Sequence, residues 1–172
     1  MVANRSSILR RLAVLMASLS LMAVVPLAEA EVYTHMKVDG IPGESRFPDK
    51  WDWIDLTGFS QSCGTTDCAL VVARKRIDRA SPLLIGRAAA NQLIPSVVIT
   101  MRNSGEGQRD FFTATLGLVL VDRIELADQN GELVERVVLA PRTITIEYKP
   151  QSDKGGLGAP VVTSVSCNPS KK

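Results

Sequence analysis

The alternation of apolar and polar positions divides the chain after residue 30 into short extended segments. Val32, Thr34, Met36 and Val38 alternate with Tyr33, His35 and Lys37, the period-2 pattern of a half-buried strand, which leaves the histidine on the solvated parity. "DGIPGES" then breaks the pattern with Gly40, Pro42 and Gly43. Trp51–Phe59 predicts a second strand and Ala69–Val72 a third. Val97, Ile99 and Met101 share a parity ahead of a hairpin loop, "NSGEG". Phe112, Ala114, Leu116, Leu118 and Leu120 line one face of a long strand, with Val119 and Val121 joining on the other, so its second half is expected to be buried on both faces. Asn130-Gly131 marks a tight hairpin. Val134–Leu139 and Thr143–Lys149 follow as strands, and "VVTSVS" reads as a short edge strand within a flexible tail, 158–172.

One segment departs from period 2. Ser81 stands at an N-cap position and Pro82 at the first helical position, where a missing N–H costs nothing. Leu84, Ile85, Ala88 and Ala89 form an apolar stripe, and the helix is expected to end near Gln92. Seven or eight antiparallel strands with one helix after the third predict a mainly β fold: a small antiparallel β-barrel or two-sheet sandwich with one lateral α-helix.

The first thirty residues follow neither period. Arg5, Arg10 and Arg11 precede an uncharged run, Leu12–Val25, of 14 residues, and Ala28-Glu29-Ala30 is a small-x-small cleavage signal before Glu31. A bilayer-spanning helix needs about 20 residues. Residues 1–30 therefore read as a removable signal peptide rather than a stable membrane anchor, with export to the periplasm or the extracellular space. Removing them takes Arg5, Arg10, Arg11 and Glu29 from the 20 basic and 18 acidic residues and leaves the remainder balanced. A neutral domain offers no electrostatic reason to expect nucleic acid as a partner. The one basic cluster, Arg74, Lys75, Arg76 and Arg79, reads as a solvated strand end.

Candidate chemistry is sparse. His35 is the only histidine, and no nucleophile-elbow pattern accompanies it. Zinc through Cys63, Cys68, Cys167 and His35 is possible in number but lacks the usual paired spacing. Asp39 and Glu44, or Asp49 and Asp52, read as loop solvation, and no Gly-rich loop leads from a strand into a helix. Catalytic, metal and cofactor sites are therefore not expected. Behind an export signal, the two cysteines of "SCGTTDC" favour a Cys63–Cys68 disulfide across a four-residue loop. Cys167 would then be left in the tail for an intermolecular bridge, with Cys63–Cys167 and Cys68–Cys167 as the other pairings.

Five stretches, in order, carry a resemblance: "MKVDGIPGES", "IDLTGFS", "RIDRASPLLIGRAAANQLIPSVVITMR", "FFTATLGLVLVDRIEL" and "ERVVLAPRTITIEYKPQSDKGG". From about Val32 to Leu157 the chain resembles the haemolysin-coregulated protein (Hcp) family, the tube proteins of bacterial type VI secretion. The most specific pieces are Asp39-Gly40-Ile41 with Gly43-Glu44-Ser45, Ile77-Asp78 with Ala80-Ser81-Pro82 and Leu84, and the closing Glu147-Tyr148 with Pro150-Gln151. The resemblance implies a domain spanning 31–157 that is a non-catalytic structural subunit. It also implies a homo-oligomer, a hexameric ring that stacks into a tube, with small effectors and secretion-apparatus proteins as partners. Members of the family are usually made without a signal peptide, in the cytoplasm, and are then secreted by the type VI apparatus, which is the alternative to export by residues 1–30; those residues in turn raise the alternative of an exported binding module outside the tube. "SCGTTDC" has no counterpart in the family pattern, and Ile146 stands where a tryptophan is common.

Overall fold

A computed structural model describes residues 31–64, 68–104, 109–152 and 156–167, with side chains omitted at 68 and 69. The proposed signal peptide, with Ala28 and Ala30, lies outside the described residues. Among the described residues the strands are β1 (Val32–Val38), β2 (Ile54–Cys63), β3 (Cys68–Arg76), β4 (Ile94–Asn103), β5 (Asp110–Gln129), β6 (Glu132–Ala140), β7 (Thr143–Tyr148) and β8 (Val161–Ser166), and a helix, α1 (Ala80–Ala89), lies between β3 and β4. Every pairing is antiparallel, in the order β4-β1-β2-β3-β6-β5-β7-β8. β4 also pairs with β5, which closes six strands into a barrel. The mainly β barrel with a lateral helix is thus the observed fold.

The alternation fills the barrel. Met36 and Val38, Ile54, Val71 and Ala73, Val97 and Ile99, Val137 and Leu139 and Ile144 are all buried, and Leu84 of α1 joins them. Each fully buried aliphatic side chain contributes roughly 1.5–3 kcal/mol.

β5 holds the barrel together by changing partners along its length. Its first half pairs with β4 on one edge and β7 on the other, Ala114 facing both Ile99 and Ile146. Its second half pairs with β6, from Leu120↔Ala140 to Gln129↔Glu132. The switch occurs at Leu118, whose φ of +50° is in the left-handed region. That residue breaks the period: Ala114 and Leu116 are buried before it, Val119 and Val121 after it, and Leu118 itself is exposed. The expected single face through Leu118 and Leu120 is therefore wrong, and so is burial on both faces, since Glu125–Asp128 are exposed. Asn130 and Gly131, with φ of +56° and +82°, form the predicted Asn-Gly hairpin, and the Gly131 N–H donates to Asp128 Oδ1 at 2.9 Å.

Other boundaries move. β2 begins at Ile54, because Trp51 and Asp52 form the turn that ends the preceding loop, and it runs on to Cys63. β3 extends to Arg76, through the basic cluster. α1 stops at Ala89, and Asn91 at φ +47° turns the chain away. Of its expected stripe only Leu84 is buried and Ala88 half-buried; Ile85 and Ala89 face outward, because α1 touches the barrel along one narrow line. Residues 161–166, placed within the expected tail, are a complete antiparallel partner of β7, and Cys167 beyond them is buried rather than presented on a tail.

Candidate functional site

Two of the resemblance motifs meet, and the meeting is built on backbone geometry. Gly40, at φ +73°, reverses the chain after β1. Gly43 and Ser45 then pair with the far end of the same loop: Gly43 N–H donates to Asp52 O at 2.7 Å and Ser45 N–H to Trp53 O at 2.9 Å. Asp39 N–H donates to Ser96 O at 3.0 Å, tying the loop's start to β4. Arg79, just before α1, reaches into this loop: its side chain donates to Gly43 O and pairs with Asp52, and its N–H donates to Glu44 Oε1 at 3.1 Å. The acidic residues read as loop solvation thus include two that hold the helix to the loop.

The start of α1 differs from the expected cap. Ser81 lies inside the first turn, and Arg79 is the cap residue with no side-chain cap bond. Asp78 Oδ1 instead accepts from the Ala80 N–H at 3.0 Å, while Ser81 Oγ accepts from the Asp78 N–H at 3.2 Å. Pro82 sits exposed in that turn. Ser81 is drawn inward by a charge cluster. Lys75 Nζ lies 2.9 Å from Glu135 Oε2, 2.6 Å from Asp78 Oδ1, 2.8 Å from Ser81 Oγ and 2.8 Å from Arg76 O. Lys75 is 0% exposed and Glu135 1%. The reading of the basic cluster as a solvated strand end therefore fits the exposed Arg74 and Arg76 but fails for Arg79, which holds the loop, and for the buried Lys75. A signal for this was present: Lys75 continues the buried parity of Val71 and Ala73, and Glu135 that of Val137 and Leu139. Burial of an ion pair costs about several kcal/mol per charge before the attraction is counted, so the site persists through its four-fold coordination.

The loop also covers the outer face of β1 and β4, which corrects the reading of His35 as solvated. Phe47 packs against His35 with ring centroids 4.9 Å apart and the rings tilted by 54°, and His35 is 3% exposed. Arg102, buried beneath the same ring, forks onto Asp49 at 3.0 Å and binds Asp110 at 2.7 Å; Lys50 reaches Asp110 at 2.7 Å and lies over the Trp53 ring. His35 Nε2 stands 3.6 Å from Asp55 Oδ1, its partner across the β1–β2 pair, and Nδ1 is buried with no hydrogen-bond partner among the described residues. A general base needs a proton donor within reach, and no described hydroxyl meets this imidazole. Burial pushes its pKa below the ordinary 6.5; Asp55 opposes the shift and Lys50 and Arg102 add to it. The unfolded chain then takes up the proton first, so the stability due to neutral His35 is present above about pH 6.5 and is lost as pH falls toward the lower folded value. We expect the melting temperature to fall between pH 7 and pH 5, with a shallower fall in His35→Gln. Equal slopes for the two proteins in a calorimetric series would discard this assignment.

A groove of about 710 Å³ opens beside the site, lined among others by Tyr33, His35, Ser45, Asp55 and Asp78. The third motif lies apart from it. Tyr148 ends β7, half in solvent, and Gln151 accepts from Asn103 at 2.5 Å at the β4–β5 end of the barrel. Cys63 and Cys68 are register partners at the tip of the β2–β3 hairpin. Cys167 is a free thiol held by its N–H on Arg142 O at 2.7 Å, and burial pushes its pKa up. Among the described residues no helix is long and apolar enough to cross a membrane.

The architecture is that of a known group. Hcp1 from Salmonella typhimurium matches with a TM-score of 0.72 at 23% identity, over 80% of this chain and 95% of that one. A type VI secretion effector from Yersinia pestis matches at 0.67 with 19% identity, over 77% and 98%. The secreted protein Hcp3 from Pseudomonas aeruginosa matches at 0.62 with 17% identity, over 81% and 99%. No curated protein matches the chain. The family described as "Type VI secretion system effector, Hcp" matches residues 35–148, from the buried histidine of β1 to the tyrosine that ends β7. Hcp proteins are structural tube proteins rather than enzymes; they form rings and tubes and are secreted by the type VI system. With its lateral helix, its loop–helix lock and all but the first three residues of its barrel inside that match, this chain belongs to the Hcp family as a non-catalytic tube subunit of type VI secretion.

Proposed function

We propose that the working form is an exported tube subunit that starts at Glu31 after removal of residues 1–30, closes six copies into a ring, and carries a Cys63–Cys68 disulfide. The observation that carries this reading is the position of the first strand. Val32 opens β1 two residues after Ala30, and Glu31 is already clasped to Ser104, its N–H to Oγ at 3.1 Å and its carbonyl accepting from the Ser104 N–H at 2.7 Å. A cut after Ala30 would therefore leave β1 and the clasp of Glu31 on Ser104 in place. Register opposition of Cys63 and Cys68 supports the disulfide. A bridge across so short a loop adds at most about 2 kcal/mol, so its role would be to fix the hairpin tip. The ring would carry small effectors in its lumen, as the family resemblance implies.

Mass spectrometry of the protein recovered outside the cytoplasm tests all three parts. The denatured, unreduced chain is expected to start at Glu31 and to be two hydrogens lighter than the fully reduced chain, with the peptide containing Cys63 and Cys68 internally bridged. Native spectra are expected to show six copies. A chain starting at Met1 refutes processing, free thiols refute the bridge, and a monomer returns the chain to the role of a binding module outside the tube.

A further inference from the structure

Asn130-Gly131, the turn between β5 and β6, is a motif that the tube reading does not use. An asparagine followed by glycine loses its side-chain amide easily, because glycine has no β-carbon to shield its own main-chain nitrogen. The Gly131 nitrogen attacks Asn130 Cγ, the bond from Cγ to the side-chain nitrogen breaks, and that nitrogen leaves as ammonia with the proton the main-chain N–H gives up. A succinimide ring remains. Water then adds across one of the two ring C–N bonds and leaves either aspartate or isoaspartate.

The hairpin tip is open to this chemistry, since Asp128, Gln129, Asn130 and Gly131 are all exposed and water reaches each of them. Conformation opposes it. Asn130 has a φ of +56°, in the left-handed region, where ψ is about +30 to +60°. At that ψ the Gly131 nitrogen lies nearly opposite Asn130 Cβ about the Cα–C bond, whereas ring closure needs the two nearly eclipsed. The Gly131 N–H, which must lose its proton to attack, instead donates to Asp128 Oδ1 at 2.9 Å. That bond ties the attacking nitrogen on the side away from the Asn130 side chain. The register pairs Gln129↔Glu132 and Asp128↔Leu133 close the turn behind it.

We propose that Asn130 is a latent deamidation site and that Asp128 keeps it closed while the hairpin is folded. The reaction would matter to the tip. Isoaspartate lengthens the main chain by a methylene, which a turn fixed by the pair Gln129↔Glu132 does not accommodate, and either product adds a negative charge beside Asp128. Leu126 and Leu133, the apolar residues nearest the turn, are 51% and 49% exposed, so no buried side chain there restores the register.

The experiment is mass spectrometry of the purified chain and of Asp128→Ala and Asp128→Asn, each incubated folded at mildly alkaline pH. The tryptic peptide 124–136 of the unaltered chain, incubated alone, is the unfolded reference. Fragment ions assign the change to position 130, and circular dichroism confirms that each variant is folded. The unaltered chain is expected to lose the amide more slowly than the peptide. Asp128→Ala is expected to lose it about tenfold faster than the unaltered chain, the factor that corresponds to one hydrogen bond to a charged acceptor. Asp128→Asn keeps an acceptor in place and is expected to fall between the two. Equal rates for the unaltered chain and Asp128→Ala overturn the gate. A slower rate in Asp128→Ala also overturns it, since the carboxylate would then be a base that promotes the attack. A peptide that keeps its amide, or a folded chain that loses it as fast as the peptide, removes the latent site itself.

Discussion

Lys75→Met is expected to destabilise the barrel by roughly 3–5 kcal/mol, because it leaves Glu135 charged, buried and without its cation. Glu135 Oε1 is already buried without a partner among the described residues, and the Ser81 hydroxyl, 2.5 Å from Oε2, is a neutral donor that cannot replace the lost charge. The same change removes the ammonium donor from Asp78 and from Ser81, which set the first turn of α1. A domain of this size should lose on the order of 10 °C or more in Tm. The pair itself need not be worth that much. Replacing both charges, Lys75→Met with Glu135→Leu, should recover most of the loss, since apolar groups of similar volume satisfy a buried site as well as an ion pair does. Chemical denaturation of the two single variants and the double gives the cycle. A cost below about 1 kcal/mol for Lys75→Met would mean that the cluster is not what fixes the helix.

Gly43→Ala is the second large effect and acts through the backbone. A β-carbon there would stand 2.2 Å from Trp53 O, 2.5 Å from Trp53 C and 2.7 Å from Ile54 Cγ1, so the loop must lift off the start of β2. That breaks the Gly43–Asp52 and Ser45–Trp53 hydrogen bonds together and withdraws the acceptor of Arg79. The expected cost is about 3 kcal/mol, at the upper end for overpacking, and faster amide exchange across 43–53 should accompany it. Gly58→Ala is the control, since a β-carbon at Gly58 meets nothing within 4 Å and should change stability by no more than about 0.5 kcal/mol. Equal effects at the two glycines would show that Gly43 is not held by close approach.

These two sites also show where reading a sequence reaches its limit. Alternation identified β1, β4 and β7 and the Asn130-Gly131 hairpin, because each of those signals is local. The face change in β5 was hidden because the left-handed residue is Leu118, a leucine that reads as strand, and the adjacent Gly117 alone does not say that the period shifts there. His35 was misplaced for a different reason. Its parity is correct for the outer face, but the outer face is covered by Phe47, twelve positions away along a loop with no periodic pattern. Lys75 had a legible parity, and its charge overruled it; only Glu135, on a strand not adjacent in the chain, makes that parity tolerable. The loop–helix lock was visible as two motifs, Asp39–Ser45 and Asp78–Pro82, whereas the arginine that joins them, Arg79, was not among the residues that marked either.

The pairing of β1 sets the order in which the chain can be completed. Val32–Val38 finds its full-length partner only in Val97–Asn103, and its contact with β2 covers three residue pairs. The full-length partner of β1 is therefore available only after more than half of the chain has been synthesised. A leader attached ahead of Glu31 would spend that interval beside unstructured polypeptide, the form that a narrow translocation channel accepts. Strand order thus gives this barrel a built-in delay, and the delay falls at the end where export would begin.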